Sequence, residues 1–332
     1  MKLSICIPTY NRAYYLKNCL HSINLSALNT NYKFQVCISD NNSTDETYNV
    51  VQEAQSLINI KYCKNQKNIG RVKNYLNVVD MADGEFVWLL GDDDLLMPNA
   101  IETINNLIVV HKNIDFFYIN SNNLSIEYIN KFNYPFDTIN LPVQMDLFSK
   151  WKVSGEMSFL NLINPKISFD FLGGMFLSVF RKQMWSNNLD ILNYYAINDN
   201  RTFSHFDNTF PHVKIFAKAF SKSSSYFNSA PQSVCLSGVR EWSLMSPIVN
   251  SVRLVEALKE YRSNGLSKWR YYYCKNYALR YSMIDIIKII KYKNSGYEFI
   301  NNYKLLLTYL LYPNFYLSPI YFIISKIFNI KY

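Results

Sequence analysis

The sequence lacks both glycine-rich motifs by which phosphate-binding loops are most often identified. Neither G-x-G-x-x-G nor G-x-x-x-x-G-K-[ST] occurs in its 332 residues. The first motif binds the pyrophosphate of a dinucleotide, and the second is the P-loop of nucleoside triphosphatases. The sequence therefore gives little support to a dinucleotide-dependent oxidoreductase or to a P-loop NTPase.

The cysteines also lack the spacing that a zinc site or a disulfide framework requires. None of the six forms a C-x-x-C pair, and Cys6 and Cys37 lie inside apolar runs. We therefore expect buried, reduced thiols. The N-terminal apolar run ends at Pro8 and is too short for a signal peptide, so we expect a cytoplasmic protein.

Charged residues are scarce, and positive charge exceeds negative. Charged residues make up 18% of the chain and apolar residues 49%, a balance that argues against disorder. The length suits one large or two modest domains. The formal net charge of +9 suggests an anionic partner, such as nucleic acid, a nucleotide or an acidic membrane surface.

The first third of the chain repeats the order strand, turn, helix. Short apolar runs at 3–7, 34–38, 58–62 and 85–90 predict strands, at a spacing typical of βαβ units. The runs are continuous rather than alternating, as in parallel strands buried on both faces. The sequence therefore predicts an α/β fold with a mostly parallel, twisted sheet flanked by helices.

Helices are predicted between these strands. The apolar periodicity of residues 13–23 predicts the first. Ser43 and Glu46 have the spacing of a capping box, which predicts that the second begins near Thr44. Residues 68–82 are predicted to form a turn followed by the third helix.

Three polar loops, PTYNR, SDNNSTD and GDDD, follow the first, second and fourth predicted strands. Ligands of parallel sheets bind beyond the carboxyl ends of the strands, so these loops predict one site. Adjacent carboxylates, as in residues 91–94, repel one another unless they are solvated or neutralised. The acidic run is either a solvated turn or a site for Mg²⁺ or Mn²⁺, which bind one or two carboxylates together with substrate phosphates.

The other loops offer groups that suit a nucleotide. Asp40 is either a turn residue or an acceptor for a base N–H or a ribose hydroxyl. Arg12 either contacts a phosphate or begins a helix in solvent, and Arg71 is a second cation near the same edge. The backbone groups of Thr9 and Tyr10, where the first strand ends, are available for nucleotide contacts.

Taken together, SICIPTYNR, CISDNNSTDET, NIGRVKNYL and GEFVWLLGDDDLLMPNAI resemble the motifs of family 2 glycosyltransferases, in the family's order and spacing. The resemblance covers roughly residues 1–110 and implies a GT-A-type nucleotide-diphospho-sugar transferase fold. It implies inverting transfer of a sugar from a nucleotide-diphosphate donor, with a divalent metal (Mg²⁺ or Mn²⁺) on the diphosphate. The nucleotide-sugar-binding residues that it implies are Pro8, Thr9, Tyr10, Arg12, Asp40, Asn42, Gly70, Arg71 and Asp92.

The resemblance also assigns the acidic run, with one departure from the family. The family's motif commonly reads Asp-x-Asp-Asp, whereas this sequence has Gly91 at the first position and Asp92 at the variable one. Asp93 keeps the metal-binding position, and Asp94 is predicted as a second metal ligand.

The family's catalytic base is usually an acidic residue that opens a helix further along the chain. Aligning PHVKIFAKAF with that helix places His212 at the base position, and Asp207 is the conventional alternative. A histidine with a pKa of about 6.5 can deprotonate a sugar hydroxyl. The other possibility is that His212 only caps a helix or bonds to backbone. The PHV stretch, with the glycine before the acidic run, is similar to O-antigen transferases of the abequosyltransferase kind.

The rest of the chain is predicted to complete the enzyme. We expect a nucleotide-sugar-binding half over 1–110, an acceptor-binding half over 111–245 and a helical extension over 246–332. Residues 171–181, FLGGMFLSVFR, are predicted to form a strand. Its two glycines either border the acceptor site or mark a strand bulge.

The C-terminal extension combines basic, aromatic and apolar residues. Residues 268–293 mix Lys and Arg with Tyr, Ile and Trp, and residues 305–324 contain no charge over 20 residues. That length can span a bilayer, but Pro313 and Pro319 are expected to break it. We expect amphipathic helices on an anionic membrane surface, the alternative being helices that pack on the catalytic domain.

The sequence thus predicts a glycosyltransferase of surface polysaccharide or O-antigen synthesis, peripherally bound to the inner face of the cell membrane. Its acceptor is expected to be a hydroxyl of a lipid-linked oligosaccharide. A nucleotide-sugar-binding or nucleotidyltransferase-type protein is the alternative, although PTYNR lacks the Gly-rich, Lys-bearing loop that the latter needs. No nucleic-acid partner is expected, because the N-terminal loops are acidic rather than basic.

Overall fold

A computed structural model describes residues 2–28, 30–238 and 243–328. Its centre is one mixed β-sheet. The strands are β1 (Leu3–Thr9), β2 (Phe34–Asp40), β3 (Ile60–Lys64), β4 (Phe86–Leu89), β5 (Asp94–Leu96), β6 (Phe116–Ser125), β7 (Asp146–Leu147), β8 (Gly155–Ser158), β9 (Ser178–Arg181) and β10 (Ser224–Ser237).

Helices flank this sheet and form the C-terminal part of the chain. They are α1 (Ala13–Ala27), α2 (Thr47–Gln55), α3 (Arg71–Asp80), α4 (Ala100–Val110), α5 (Ile126–Ile129), α6 (Lys182–Ser186), α7 (Tyr194–Ile197), α8 (Pro211–Phe220), α9 (Ser246–Ile248), α10 (Leu254–Ser263), α11 (Lys268–Ala278), α12 (Ser282–Lys291), α13 (Asn302–Tyr309) and α14 (Pro313–Ile327). A π-helical turn, Val249–Arg253, joins α9 to α10.

The sheet has the strand order β3-β2-β1-β4-β9-β6-β10-β5. Strands β1 to β4 are parallel to one another, as predicted, and the crossovers between them contain α1, α2 and α3. Beyond β4 the short strand β9 runs antiparallel and joins β4 to β6, and β6 pairs parallel with β10. The predicted α/β fold with helices on the sheet and a helical C-terminal extension is confirmed.

The continuous apolar runs behave as their composition predicts. All seven residues of β1 are buried, and so are all four residues of β4. The edge strand β3 is only partly buried and alternates in exposure. Trp88 is fully buried in β4, and its indole N–H donates to the carbonyl of Phe176 over 2.8 Å, which ties the parallel part of the sheet to the later segments.

The predicted capping box at the start of α2 is wrong. The helix begins at Thr47, and Asp45 accepts a hydrogen bond from the Thr47 backbone N–H instead. The Ser43 hydroxyl accepts one from the backbone N–H of Asn11, a residue of the loop after β1. Ser43 therefore bonds to a residue that is distant in sequence and does not provide the cap of α2 that its spacing predicted.

The predicted strand over 171–181 is wrong for its first half. Only Ser178–Arg181 forms a strand, and the residues before it form a tight loop in which Phe171 and Leu172 have φ of 50° and 66°. The Asp170 carboxylate accepts a hydrogen bond from the Gly174 N–H over 2.7 Å and closes that loop. Side-chain caps of this kind make a left-handed backbone tolerable for residues other than glycine.

The C-terminal helices pack on the sheet domain and on one another. The Tyr261 hydroxyl of α10 donates to the carbonyl of Phe171 over 2.9 Å, and the Tyr309 hydroxyl of α13 donates to the carbonyl of Ser251 over 2.6 Å. Pro313 opens α14 at its first turn, so the predicted break there is confirmed, whereas Pro319 lies inside α14 and does not end it. Across residues 2–28, 30–238 and 243–328, every helix is too short or too polar to cross a bilayer.

The outer face of these helices is apolar and exposed. It combines large aliphatic and aromatic side chains with lysines of the same helices and their connections. The residues concerned are Ile287, Ile290, Tyr316, Ile320, Ile323, Ile327 and Phe328, and the lysines Lys288, Lys291, Lys293 and Lys326. One side of the extension thus packs on the domain while the other faces solvent.

Candidate functional site

The carboxyl ends of β1, β2 and β4 lie side by side. Thr9 of β1 is the register partner of Asp40 of β2, and the Leu90 N–H after β4 donates to the carbonyl of Cys6 over 2.9 Å. The three polar loops therefore emerge at one edge of the sheet, as predicted for a parallel arrangement. This edge is the candidate functional site.

Arg12 lies against the acidic run. Its Nε donates to Oδ1 of Asp92 and its Nη2 donates to Oδ2 of Asp93, each over 2.8 Å. The Thr9 hydroxyl donates to the other oxygen of Asp92 over 2.8 Å, and the Arg12 guanidinium also lies 4.5 Å from the ring centroid of Tyr15. The acidic run is thus a partly neutralised cluster joined to the loop after β1, and it is not a solvated turn.

Burial changes the charge of this cluster. Burial, together with the neighbouring charge of Asp93, raises the pKa of Asp92 to about 7 against the opposing effects of Arg12 and the Thr9 hydroxyl. A carboxyl with that pKa is partly protonated at neutral pH. The side chain of Asp93 is 23% exposed and that of Asp92 only 9%, so Asp93 is the more accessible of the two.

Asp94 points into the protein. Only 2% of its surface is exposed, and Oδ2 accepts a hydrogen bond from the backbone N–H of Gly91 over 2.8 Å. A Cβ at position 91 would lie 2.7 Å from Oδ1 of Asp93 and 3.0 Å from Oδ2 of Asp94. The missing side chain therefore leaves a small cradle beside two carboxylates, with Asp93 at its exposed side.

This cradle fits a divalent cation bound by few protein ligands. In the described part of the chain no three His, Cys, Asp or Glu side chains converge as a metal-ligand group. Mg²⁺ typically takes one or two carboxylates and fills its other positions with water and substrate phosphates. Asp93 supplies a carboxylate of this kind, and the Arg12 guanidinium that pairs with it is a permanent positive charge next to it.

Asp40 has both carboxylate oxygens engaged within the protein. It is fully buried, Oδ1 accepts from the Ser43 N–H over 2.7 Å, and Oδ2 accepts from the Tyr62 hydroxyl over 2.6 Å. Burial and the Asp40 carboxylate raise the pKa of the Tyr62 phenol. These bonds fold the loop in which Asn42 has φ of 69°. Asp40 is therefore a turn residue in this structure, at the position where a nucleobase contact was predicted.

A buried asparagine network beneath the site was not found from the sequence. Asn74 of α3 donates from Nδ2 to the backbone carbonyls of Thr9 and Ser39, over 3.3 and 2.9 Å. Its Oδ1 accepts from the Ser39 hydroxyl and from Nδ2 of Asn65, over 2.7 and 3.0 Å. Asn74 thus ties the carboxyl ends of β1 and β2 to α3. Nothing in the local spacing of these polar residues indicates such a role.

Pro8, Thr9 and Tyr10 lie at the end of β1 and just beyond it. Pro8 is paired with Ser39 in the sheet, and the Thr9 carbonyl accepts from the Asn41 N–H over 2.9 Å, so both are fixed by neighbouring strands. The Tyr10 side chain is 43% exposed at the rim of the site. A ligand at this edge therefore has Tyr10 available for contact.

Gly70 and Arg71 lie where α3 begins. Gly70 has φ of 86°, a conformation that favours glycine, and it precedes the first residue of the helix. Nη2 of Arg71 donates to the carbonyl of Asn208 over 2.9 Å, and its guanidinium lies 4.5 Å from the ring centroid of Phe203. Arg71 thus connects the start of α3 to a segment that is far away in sequence.

Tyr75, which sequence reasoning missed, is within electrostatic reach of both arginines. Burial raises the pKa of its phenol, and the charges of Arg71, Asp92, Asp93 and Arg12 act on it in addition. The phenol of Tyr75 is therefore affected by the charges of both arginines and of the acidic run.

His212 lies in the first turn of α8 and is only 3% exposed. Nε2 is 3.2 Å from the carbonyl oxygen of Leu172 and 3.1 Å from that of Gly173, so it carries the proton and donates to them. Nδ1 is buried and has no hydrogen-bond partner among the residues that the structure describes. Burial lowers the pKa of His212 to about 4, with a smaller effect from the charge of Arg71.

Asp207 is also buried, but it is paired. Its carboxylate lies 2.8 Å from Nζ of Lys214, and Oδ2 accepts from the Asn193 backbone N–H over 2.6 Å. Its neighbours therefore differ from those of His212, which contacts the Leu172–Gly173 backbone. Gly173 itself has little spare room, since a Cβ there would lie 3.0 Å from the carbonyl oxygen of Asp170.

The N-terminal segment matches a known family. Residues 4–153 match the model of glycosyl transferase family 2. Over 110 residues the chain is 37% identical to abequosyltransferase RfbV of Salmonella typhimurium, covering 32% of this chain and 33% of that protein. Over 106 residues it is 41% identical to the GalNAc(5)-diNAcBac-PP-undecaprenol beta-1,3-glucosyltransferase of Campylobacter jejuni, covering 31% and 33%. The chain thus spans about a third of the length of the curated relatives it matches.

Solved structures extend the likeness to most of the chain. The structure of S. aureus TarS residues 1–349 in complex with UDP-GlcNAc superposes with a TM-score of 0.56 at 18% identity, covering 90% of this chain and 78% of that one. The mannosyltransferase PcManGT of Pyrobaculum calidifontis, in complex with GDP-Man and Mn²⁺, gives 0.51 at 12% identity, covering 99% and 88%. These neighbours are GT-A-type transferases, so the predicted GT-A-type fold is confirmed.

The neutral state of His212 predicts a pH-dependent stability. Its pKa is about 4 in the folded protein and about 6.5 in an unfolded chain, so the unfolded state takes up the proton first as pH falls. The share of the unfolding free energy that comes from burying a neutral His212 is fully present above pH 6.5 and is lost as pH falls towards 4. Between pH 7 and 5 we expect wild type to lose about 2 kcal/mol more unfolding free energy than His212→Gln. Urea unfolding at both pH values measures the difference, and equal losses would contradict the buried, neutral state.

Proposed function

We propose that this chain transfers a sugar from a nucleotide-diphosphate donor to a hydroxyl of a lipid-linked oligosaccharide. The premise is the match of residues 4–153 to glycosyl transferase family 2. The observation that carries the proposal is the cluster of Arg12, Asp92 and Asp93 at the carboxyl edge of a GT-A-type sheet. The names of the relatives support the transferase over a nucleotide-sugar-binding or nucleotidyltransferase-type protein. They also support a role in surface polysaccharide synthesis of the O-antigen kind.

The donor binds over the loops after β1, β2 and β4. Tyr10 and Asn42 flank the nucleoside, with the turn built on Asp40 beneath it. Arg12 and Arg71, whose charges both act on Tyr75, supply positive charge for the diphosphate. The structures of neighbours with UDP-GlcNAc and GDP-Man support a nucleotide-diphosphate donor.

A divalent metal, Mg²⁺ or Mn²⁺, completes the diphosphate site. The residue that would hold it is Asp93, while Asp94 supports the turn from inside and Asp92 is shared between Arg12 and Thr9. When bound, such an ion stabilises the negative charge that develops on the departing diphosphate. Arg12, which bonds to both Asp92 and Asp93, supplies a positive charge beside the same diphosphate.

The base is His212 rather than Asp207. The Leu172 and Gly173 carbonyls fix the proton on Nε2, so Nδ1 carries the lone pair and is the nitrogen that accepts a proton. Both carboxylate oxygens of Asp207 are already engaged within the protein, by Lys214 and by the Asn193 backbone N–H. Deprotonation of the acceptor hydroxyl by Nδ1 as the hydroxyl attacks the anomeric carbon gives a single displacement with inversion.

The exposed face of the C-terminal helices supports contact with an anionic membrane. Apolar side chains of α12 and α14, such as Ile290 and Ile323, lie beside Lys291 and Lys326. Interfacial helices bind by burying apolar side chains and by attracting anionic lipid. Peripheral association with the inner face of the membrane would bring the site to a lipid-linked acceptor.

Asp93→Asn tests the metal and donor site. Asparagine keeps the size but removes the charge, so we expect Mn²⁺-dependent binding of nucleoside diphosphate and the hydrolysis of nucleotide-sugar to fall by about a hundredfold or more. Isothermal titration with UDP, GDP, CDP and dTDP, and a matching panel of nucleotide-sugars, provides the measurement. Asp83→Asn is the matched control, because Asp83 is exposed and pairs with Lys61 at the opposite edge of the sheet. Wild type that binds no member of the panel would overturn the proposal.

His212→Gln and Asp207→Asn, compared side by side, test the base. Loss of a general base costs about 10²- to 10⁴-fold in rate. We expect that loss in the hydrolysis rate of the donor at saturation for His212→Gln only, with nucleotide affinity unchanged in both variants. Circular dichroism and urea unfolding check that each variant is folded. A loss confined to Asp207→Asn would assign the base to the other residue.

Vesicle binding tests the membrane face. We expect wild type to sediment with vesicles containing phosphatidylglycerol, and to be released by salt, because its lysines are screened. The triple variant Ile320→Ser, Ile323→Ser and Ile327→Ser should sediment much less, since it loses the apolar contact. Leu57→Ser with Val110→Ser is the control, because both residues are exposed outside the extension. Equal sedimentation of all three proteins would contradict the proposed face.

A further inference from the structure

Arg253 is a buried cation outside the acidic cluster. It ends the π-helical turn before α10 and is 4% exposed. Its Nε donates to the carbonyl of Phe203 over 3.0 Å, and Nη2 donates to that of Ser204 over 2.6 Å. Nη1 donates to Oε2 of Glu256 over 2.8 Å. Burying a guanidinium is costly unless its donors are satisfied, and here two of its nitrogens are directed at one loop.

That loop, residues 199–208, is held together by its own side chains. Nδ2 of Asn208 donates to the carbonyls of Asp199 and Arg201 and to the Ser204 hydroxyl, over 3.2, 3.0 and 2.8 Å. Hydrogen bonds from the Arg201 side chain lower the pKa of Asp199. Phe203 has φ of 63°, a conformation that is costly for an aromatic residue and needs outside support. Arg253 binds the carbonyl of that residue.

The same loop holds Arg71 at the proposed donor site. The Phe203 ring lies under the Arg71 guanidinium at 4.5 Å, and the Asn208 carbonyl accepts from Nη2 of Arg71 over 2.9 Å. Oδ1 of Asn200 lies 3.2 Å from the position of a Cβ on Gly70, so the loop also covers the start of α3. Arg71 is therefore fixed by groups that Arg253 fixes in turn.

We propose that Arg253 is a positioning residue of the donor site, which acts through the loop 199–208 to hold Arg71 where the donor diphosphate binds. This inference rests on the proposed function, since it takes Arg71 as a donor contact. It gives the helical extension a role in donor binding, because Arg253 belongs to the segment that leads into α10. A lysine cannot replace it, because one ammonium does not reproduce the planar fork that contacts two adjacent carbonyls.

A double-mutant cycle tests this path. The proteins are the full chain, Arg71→Met, Arg253→Lys and the double variant. The quantity measured is the Kd of the nucleoside diphosphate (UDP, GDP, CDP or dTDP) that wild type binds most tightly with Mn²⁺. We expect each single variant to weaken binding by about tenfold, in line with one charge-assisted hydrogen bond. If Arg253 acts through Arg71, the double variant binds no more weakly than Arg71→Met alone.

Two further variants separate positioning from general stability. Arg262→Lys is the matched control on α10, where Nη1 donates to the carbonyl of Leu266, and it should bind the nucleotide like wild type. Phe203→Leu keeps the carbonyl that Arg253 binds but removes the ring under Arg71, and its cycle with Arg71→Met should show the same lack of additivity. If Arg253→Lys fails to fold, Arg253→Gln, which keeps one side-chain donor for the carbonyls that Arg253 binds, takes its place in the first cycle.

The outcomes distinguish this inference from the proposed function. Wild type that binds none of the four nucleoside diphosphates contradicts the proposed function, and this inference with it. Wild type that binds, together with losses that multiply in the cycle, overturns the inference and leaves the proposed function standing. An equal loss of affinity in Arg262→Lys would also overturn it, since the effect would then belong to α10 as a whole.

Discussion

The ion pairs of Arg12 with Asp92 and Asp93 are the interaction on which the candidate site depends. Three aspartates at the end of a buried strand repel one another, and β4 can end in them only because a guanidinium from the loop after β1 lies against two of them. The third, Asp94, is accommodated differently, by a backbone N–H of the same turn. The acidic run is therefore part of the contact between two neighbouring loops, and its geometry is set before any ligand binds.

The two halves of the site are joined by a second cation, Arg71. From the start of α3 it reaches the loop 199–208, and through the field of its charge it affects both Tyr75 and His212. Two hydrogen bonds hold the tight loop at Gly173. Nε2 of His212 donates to the Gly173 carbonyl, and the Tyr261 hydroxyl donates to the Phe171 carbonyl. Residues from the sheet, from α8 and from the C-terminal helices thus converge on one edge.

The sequence predicted the parallel strands and the polar loops because both are local properties. A continuous apolar run such as LSICI and a polar loop after it are visible within ten residues, and parallel topology brings the loops together. The partners of polar side chains were less predictable. Ser43 bonds to Asn11 instead of capping α2, and Arg12 finds Asp92 across 80 residues of chain. Asn74 carries no motif at all, and its role appears only once β1, β2 and α3 are assembled.

The glycine at the start of the acidic run also limits what evolution and engineering can do at this position. The motif that this acidic run resembles commonly has an aspartate there. A side chain at 91 would have to share space with the carboxylates of Asp93 and Asp94. An aspartate at 91 would therefore force the carboxylates of Asp93 and Asp94 to shift and would add a third negative charge to the space that they already share.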